Sequence, residues 1–306
     1  MRRAFLLAAA FLLAAVRAWA GPGAVEIDHP EAFSRVVALS DAHGMAGALK
    51  TLLRAGGVID AQDQWSGGTT LLIVVGDSID KGPDSVEVVD LYRSLQPQAA
   101  AAGGRVVHLL GNHEAEFLAD PQDKKAKAFR QELKAKRIPI EDFTDPGRPR
   151  GAFLRAEPAA ARVGKWLFAH AGLLPDGGWS AFAASAASLS GYGDALLSAD
   201  DSILEAKGWW GDAAQRARLE SRLSASGLYG VVFGHQPKAL GVEGACARSA
   251  DGRLIKIDNG MAPEAGSHEG SLLVFPHPAD LSASAPPQAL TILAGGGTRP
   301  LGAEAP

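Results

Sequence analysis

Five short apolar runs along the chain each end abruptly in a cluster of polar residues. Arg35-Val36-Val37-Ala38-Leu39 leads into Ser40-Asp41-Ala42-His43-Gly44, and Leu71 to Val75 leads into Gly76-Asp77-Ser78-Ile79-Asp80. The run at 106–110 precedes Gly111-Asn112-His113-Glu114. Trp166-Leu167-Phe168 precedes Ala169-His170-Ala171-Gly172, and Val231-Val232-Phe233 precedes Gly234-His235. These runs are continuous rather than alternating and rich in Val, which predicts strands buried on both faces. Residues 47–54 and 85–95 between them read as helices. Strands alternating with helices predict an α/β layered fold, whose sites form at the carboxyl ends of strands. All five polar clusters fall there.

The remaining stretches carry weaker patterns. Residues 98–104 are Ala/Gly-rich and read as a loop or helix end. Residues 123–137 are dense in Lys and Arg, with Phe129 and Leu133 four apart, which predicts a surface helix with one apolar stripe. Its cations read as a solvated basic face in preference to a surface that steers substrate. From residue 279 onward Ser, Ala, Pro and Gly dominate, and 289–293 is expected to form a last edge strand.

Composition narrows the picture. The 306 residues are 47% hydrophobic and 21% charged, which excludes wholesale disorder and allows one large domain or two modest ones. A net charge of −4 does not point to nucleic acid or a membrane surface as partner. Cys246 is the single cysteine, so no intrachain disulfide or Cys-based zinc site is possible, and it reads as a buried apolar thiol. Met1-Arg2-Arg3, the apolar run at 4–16 and Ala18-Trp19-Ala20 have the layout of a secretory signal peptide over 1–20. Arg2-Arg3 also resembles part of a twin-arginine signal. The expectation is a periplasmic or secreted protein with no stable membrane span after cleavage. A catalytic domain is then expected over 21–278, with a helical insertion at about 115–165 and a tail over 279–306.

With cysteine excluded, a metal must rest on His, Asp, Glu and Asn. Asp41 and His43 lie two apart on one loop and can reach one ion. Asp77 has two oxygens with which to bridge two ions. Asn112 offers an amide oxygen, and His170 and His235 offer imidazole nitrogens. This mixed set suits Mn, Fe or Zn better than Ca, which takes oxygen alone. Singly, each has a plainer explanation as a turn, cap or core residue. Their joint placement at strand ends favours a two-metal site.

The order Asp-x-His-Gly, Gly-Asp-x-x-Asp-Lys-Gly, Gly-Asn-His-Glu, His-Ala-Gly and Gly-His resembles the calcineurin-like metallophosphoesterase superfamily. Within it the chain is similar to the phosphoprotein phosphatase branch, and most similar to the bacterial-type Shewanella-like phosphatases. Residues 104–114, 168–175 and 257–261, the last reading Ile257-Asp258-Asn259-Gly260-Met261, carry that finer likeness. The resemblance implies two mixed β-sheets packed as a sandwich between helices. It implies that Asp41, His43 and Asp77 hold one metal, and that Asp77, Asn112, His170 and His235 hold another. It implies that His113 protonates or orients the leaving oxygen, that Asp80 orients His113, and that Asn112 and Lys81 meet the substrate phosphate. The implied reaction is hydrolysis of a phosphate monoester, on a phosphorylated protein or a small ester, by a metal-bridging hydroxide.

Three departures stand out. Ser40 replaces a usual Gly, and Lys81 replaces a usual Arg, keeping charge but losing bidentate grip. A second phosphate-binding arginine, expected around Gly208-Trp209-Trp210-Gly211-Asp212, is missing, with Arg148, Arg150 and Arg155 as candidate substitutes. Two alternatives stay open: hydrolysis of dinucleoside polyphosphates or nucleotides within the same superfamily, and a non-catalytic metal-binding scaffold.

Overall fold

The apolar runs become strands covered on both faces. A computed structural model describes residues 22–302, apart from 190, 199, 200, 242 and 267. The expected signal peptide at 1–20 lies outside the described residues. In chain order the first strands are β1 (Ala24–Ile27), β2 (Val36–Leu39), β3 (Leu71–Val75), β4 (Arg105–Leu109), β5 (Ala160–Val163) and β6 (Trp166–Ala169). They are followed by β7 (Gly230–Phe233), β8 (Ala247–Arg248), β9 (Leu254–Lys256), β10 (Ser271–Phe275), β11 (Leu290–Leu293) and β12 (Thr298–Pro300). Two six-stranded mixed sheets result, in the orders β1-β5-β6-β7-β9-β8 and β12-β11-β10-β2-β3-β4. Strands β2, β3 and β4 run parallel in one sheet, and β6, β7 and β9 run parallel in the other.

The side-chain period of two sorts each strand between two cores. Val36, Ala38, Leu71, Ile73 and Val75 face the other sheet and meet Trp166, Phe168, Val232 and Ile255. The alternate residues Val37, Leu39, Leu72 and Val74 pack outward with Leu49 and Leu52 of α1 (Ala46–Ala55) and Val89, Tyr92 and Leu95 of α2 (Ser85–Ala101). The expected sandwich between helices is therefore present. Cys246 is buried between the sheets, its Sγ 3.3 Å from Ser271 Oγ.

Three boundaries differ from expectation. Helix α2 continues past 95 to Ala101, so the stretch read as a loop or helix end holds the helix end. The helical segment after β4 consists of α3 (Asn112–Ala119), α4 (Lys127–Ala135), α5 (Glu141–Thr144) and α6 (Pro149–Arg155), and ends before 165 because β5 pairs with β1 and β6. Strand β11 is not the sheet edge: a glycine turn, with Leu293 N donating to Gly297 O at 2.9 Å, returns the chain as β12. Among the described residues, no helix is long and apolar enough to cross a membrane.

Helix α4 is fixed to the sandwich by more than its stripe. Phe129 packs edge-on against Phe117 at 4.9 Å and Phe143 at 5.0 Å, and is fully buried. Asp84, at the start of α2, makes no side-chain cap bond. Instead Glu132 of α4 accepts the free amides of Ser85 and Val86 at 2.8 and 3.0 Å, placing negative charge at the positive end of α2. Phe129→Ala should therefore cost about 3–5 kcal/mol in urea unfolding, the usual range for deleting a buried phenylalanine. A loss below about 1 kcal/mol would mean that α4 is not packed as described.

Candidate metal centre

The carboxyl ends of the parallel strands of both sheets converge on one side of the sandwich. Asp41 and His43 follow β2, Asp77 to Lys81 follow β3, Asn112 and His113 open α3 after β4, and His170 and His235 follow β6 and β7. The loops are tied to one another through their backbones. Asp41 N donates to Gly76 O, His43 N to Asp77 O and Gly234 N to His170 O, at 2.9–3.0 Å. A Cβ at Gly111 would collide with Asp77, so only glycine lets these two turns approach. Nine non-glycine described residues have positive φ, and six of them are Asp41, His43, Asp77, Asp80, Lys81 and His235. Backbone strain is thus concentrated where side chains must converge.

One carboxylate organises the turns. Glu114 is fully buried and accepts the amides of Asp77, Ser78, Ile79 and Gly111 at 2.8–3.1 Å. Burial, with Asp77 nearby, raises its pKa, while the amide donors favour its ionised form. Behind it Ser78 Oγ lies 2.7 Å from His108 Nε2, and His108 Nδ1 lies 2.9 Å from Glu157 Oε1, off the hydrogen-bond axis. Sequence reasoning gave no role to Ser78, His108, Glu114 or Glu157. Glu114 was visible only as the end of a motif, and the other three are far apart in the chain.

Every residue expected to hold metal is in one cluster. Donor atoms of Asp77, His170 and His235 lie within 4.8 Å of one another, as do those of Asp77, His43 and His113. Asp77 belongs to both groups. His170 Nδ1 bonds Val75 O at 2.9 Å, which points Nε2 inward, 3.0 Å from Asn112 Oδ1 and 3.2 Å from Asp77 Oδ2. His43 Nδ1 bonds Ile79 O at 3.1 Å, leaving Nε2 3.7 Å from Asp41 Oδ1 and 3.5 Å from Asp77 Oδ2. Asp41 Oδ2 accepts the His235 amide at 3.1 Å. Asn112 Nδ2 is 3.5 Å from Glu116 Oε1, a marginal contact.

The electrostatics call for cations. Burial, then Asp258, pushes Asp41 well above the usual carboxylate range, whereas His170 and His113 overcome burial to hold Asp77 well below it. Burial alone would lower His170, but Asp77 and Asp41 carry it up to about 10. His43 and His235 are pushed down to about 3, chiefly by burial, and are neutral donors. His113 is raised, Asp77 and Asp80 outweighing its burial; its Nδ1 sits 3.2 Å from Asp80 Oδ2. Asp258 is buried beside this cluster, with its carboxylate accepting Gly260 N at 2.9 Å.

A cavity of about 560 Å³ opens over the cluster, with Asp77, Asp80, Asn112, His113 and His235 among its lining residues. Lys81 also lines it and donates to His43 Nε2 at 2.9 Å, a lone pair that can serve this amine or a metal but not both. Arg148, Arg150 and Arg155 do not complete the site. Arg148 pairs with Asp142, Arg150 bonds Asp90 of α2 at 2.9 Å, and Arg155 bonds Thr144 O at 2.6 Å. Lys207, just before the Gly-Trp-Trp motif, lines the cavity instead, as do Lys124, Lys125 and Lys127. The basic stretch is therefore not merely a solvated face: its first turn borders the site.

A family model for calcineurin-like phosphoesterases matches residues 34–257, which include every residue of the cluster. The chain belongs to that family. Over 80 residues, 26% of this phosphoesterase, it is 35% identical to Shewanella-like protein phosphatase 2 of Arabidopsis thaliana. Over a stretch of the same length it is 34% identical to Shewanella-like protein phosphatase 1 of Plasmodium berghei. The matched stretches span only 20% and 22% of those relatives. The cold-active protein-tyrosine phosphatase of a psychrophile Shewanella species shares the fold, with a TM-score of 0.71 at 21% identity, covering 92% of this chain and 82% of that one.

The four amides on Glu114 give a test of the phosphoesterase scaffold. Glu114→Ala strands buried donors, each costing about 1–3 kcal/mol, so stability of metal-free protein should fall by at least about 3 kcal/mol in urea unfolding. Glu114→Gln should fall less, because one oxygen still accepts. Equal, small losses for both would show that the carboxylate does not organise the turns.

Proposed function

We propose that the protein is a two-metal phosphomonoesterase acting on phosphorylated protein. The observation that carries this reading is the position of Asp77, common to two groups of buried donors, with the His113–Asp80 pair at the edge of the same cluster. The residues fit metal: His235 Nε2 is buried without a hydrogen-bond partner among the described residues, and the neutral imidazoles and ionised Asp77 form a mixed N/O donor set. Asp41, His43 and Asp77 would hold one ion, and Asp77, Asn112, His170 and His235 the other. Bound cations would supply water activation and neutralise charge on the phosphoryl oxygens.

The protein's own groups do the rest. A leaving alkoxide or phenoxide needs a proton. Burial works against the charged imidazole of His113, but Asp77 and Asp80 outweigh it and raise its pKa, which favours the protonated form, and its Nε2 faces the cluster, 3.9 Å from Asp77 Oδ2. Asp80 holds the other ring nitrogen and so fixes which one delivers the proton. Lys81 meets the phosphate as a point charge, and Asn112 contacts it through its amide. Proximity alone does not separate His113 from the metal donors; its contact with Asp80 supports the role of acid.

Asp77→Asn should remove bound metal and turnover together, checked by elemental analysis alongside hydrolysis of phosphopeptides. Two tightly held ions with near-normal turnover would refute the proposed ligand set.

His113→Asn should keep metal while slowing turnover by about 10²–10⁴-fold on phosphoserine peptides, the usual worth of a positioned acid. Nitrophenyl phosphate, whose leaving group needs little protonation, should lose much less. Equal losses on both substrates, or loss of metal, would reassign His113.

We also propose that the enzyme works outside the cytoplasm, from the basic start and apolar run of residues 1–20. Amino-terminal sequencing of protein from the producing cell should begin at Gly21; an intact Met1 in cytoplasmic material would reject this.

A further inference from the structure

The mouth of the cavity is more basic than its floor requires. Lys81 sits against His43, and Lys124, Lys125, Lys127 and Lys207 also line the cavity, with Glu264 as a further acidic lining residue. A chain of net charge −4 thus gathers cations around one opening. Like charges placed together repel unless something offsets them. Lys125 has such an offset within the protein, bonding both Glu116 and Glu205. Lys207 only approaches Glu205, at 3.7 Å. Lys124 and Lys127 make no ion pair or side-chain hydrogen bond with any described residue, and both are exposed.

These amines are not on a loose loop. Asp123 accepts Lys125 N at 2.7 Å and sets the 3-10 turn Lys124–Ala126. Asp80 Oδ1 accepts Phe129 N at 2.8 Å in the next turn, Phe129 is locked among aromatics, and Glu132 binds the start of α2. Arg130 and Lys136 add further bonds, to Pro121 O and Gln122 and to Asp84 and Glu132, so the bonds that position the segment involve neither the Lys124 nor the Lys127 amine. Lys124 and Lys127 are presented from a fixed frame with their charges unspent.

The geometry points to a second anion site on Lys124, Lys127 and Lys207, which recognises an anionic group carried next to the scissile phosphate. This rests on the phosphomonoesterase reading and deepens it: the favoured substrates bear two anionic groups, one over the buried cluster and one at the lysine rim. The second anion can be an acidic residue flanking the phosphorylated residue of a peptide, or a second phosphate on a small ester. Long lysine side chains accept either without the fixed geometry that arginine imposes.

Hydrolysis of nitrophenyl phosphate by the metal-loaded wild-type enzyme tests the underlying reading by itself. The rim is tested by kcat/KM on phosphopeptides that differ only in acidic, neutral or basic flanks, and on small esters with one or two phosphates. Acidic flanks should be preferred by about tenfold over neutral ones, the size of two exposed ion pairs, and the preference should fade at high salt. A preference among peptides assigns the site to protein substrates, and one confined to bisphosphates assigns it to small esters. Lys124→Glu combined with Lys127→Glu should reverse the order, so that basic flanks become the better substrates, an outcome that a merely structural role would not produce. Anisotropy of a labelled, unphosphorylated acidic peptide should show the same loss of binding. If nitrophenyl phosphate is hydrolysed while flanking charge changes kcat/KM less than twofold in both substrate series, the second site is refuted and the phosphomonoesterase reading stands. If no phosphate ester is hydrolysed, the reading fails and takes the substrate preference with it.

Discussion

Four backbone amides converging on one buried carboxylate hold the centre together. Asp77 to Ile79 leave β3 and Gly111 leaves β4, and without Glu114 these turns would present unpaired donors to one another inside the protein. Because Glu114 lies in the first turn of α3, the same bonds fix where that helix starts, and hence where Asn112 and His113 point. Asp77 in turn accepts the His113 amide at 3.1 Å. The Asp77 loop, helix α3 and His113 are thus set by one network of hydrogen bonds rather than by separate contacts.

That network bears an opposing load. Asp41, Asp77, Glu114 and Asp258 are all buried near one another, and several cluster residues adopt left-handed backbone. Burying charges and straining turns both work against folding. The sandwich tolerates this because both its cores are well packed, with large side chains such as Trp166, Phe168 and Phe275 fully buried between the sheets. The raised pKa of His170 is the local sign of the same imbalance: the carboxylates draw positive charge to themselves.

The strands were legible because double burial erases alternation and leaves continuous apolar runs. The donors were legible because each stands within a few residues of such a run, and the parallel strand arrangement brings those ends together. What escaped notice depends on contacts between distant segments. Glu132 satisfies amides at 85 and 86, and Asp80 reaches the amide of Phe129; neither partnership has a local pattern. Arg148, Arg150 and Arg155 were attractive by position, yet α6 packs near α2 and its guanidinium groups are consumed by Asp90, Asp142 and a carbonyl. Lys207 gave no signal, since an isolated exposed lysine looks the same in any sequence. The lysines of 124–127 were seen, but amphipathic spacing reports which side of a helix is buried, not what lies across from the other side.

Asp80 divides its two oxygens between the imidazole of His113 and the amide of Phe129. The second contact is a hydrogen bond to backbone and is indifferent to which side chain follows or precedes it. Lys124 and Lys127 can therefore be replaced over evolutionary time without disturbing the Asp80–His113 contact, whereas deleting a residue from this turn would shift the amide and disturb it. Descendants of such a protein are free to change the charge of the cavity rim by point substitution, but are held to a constant segment length.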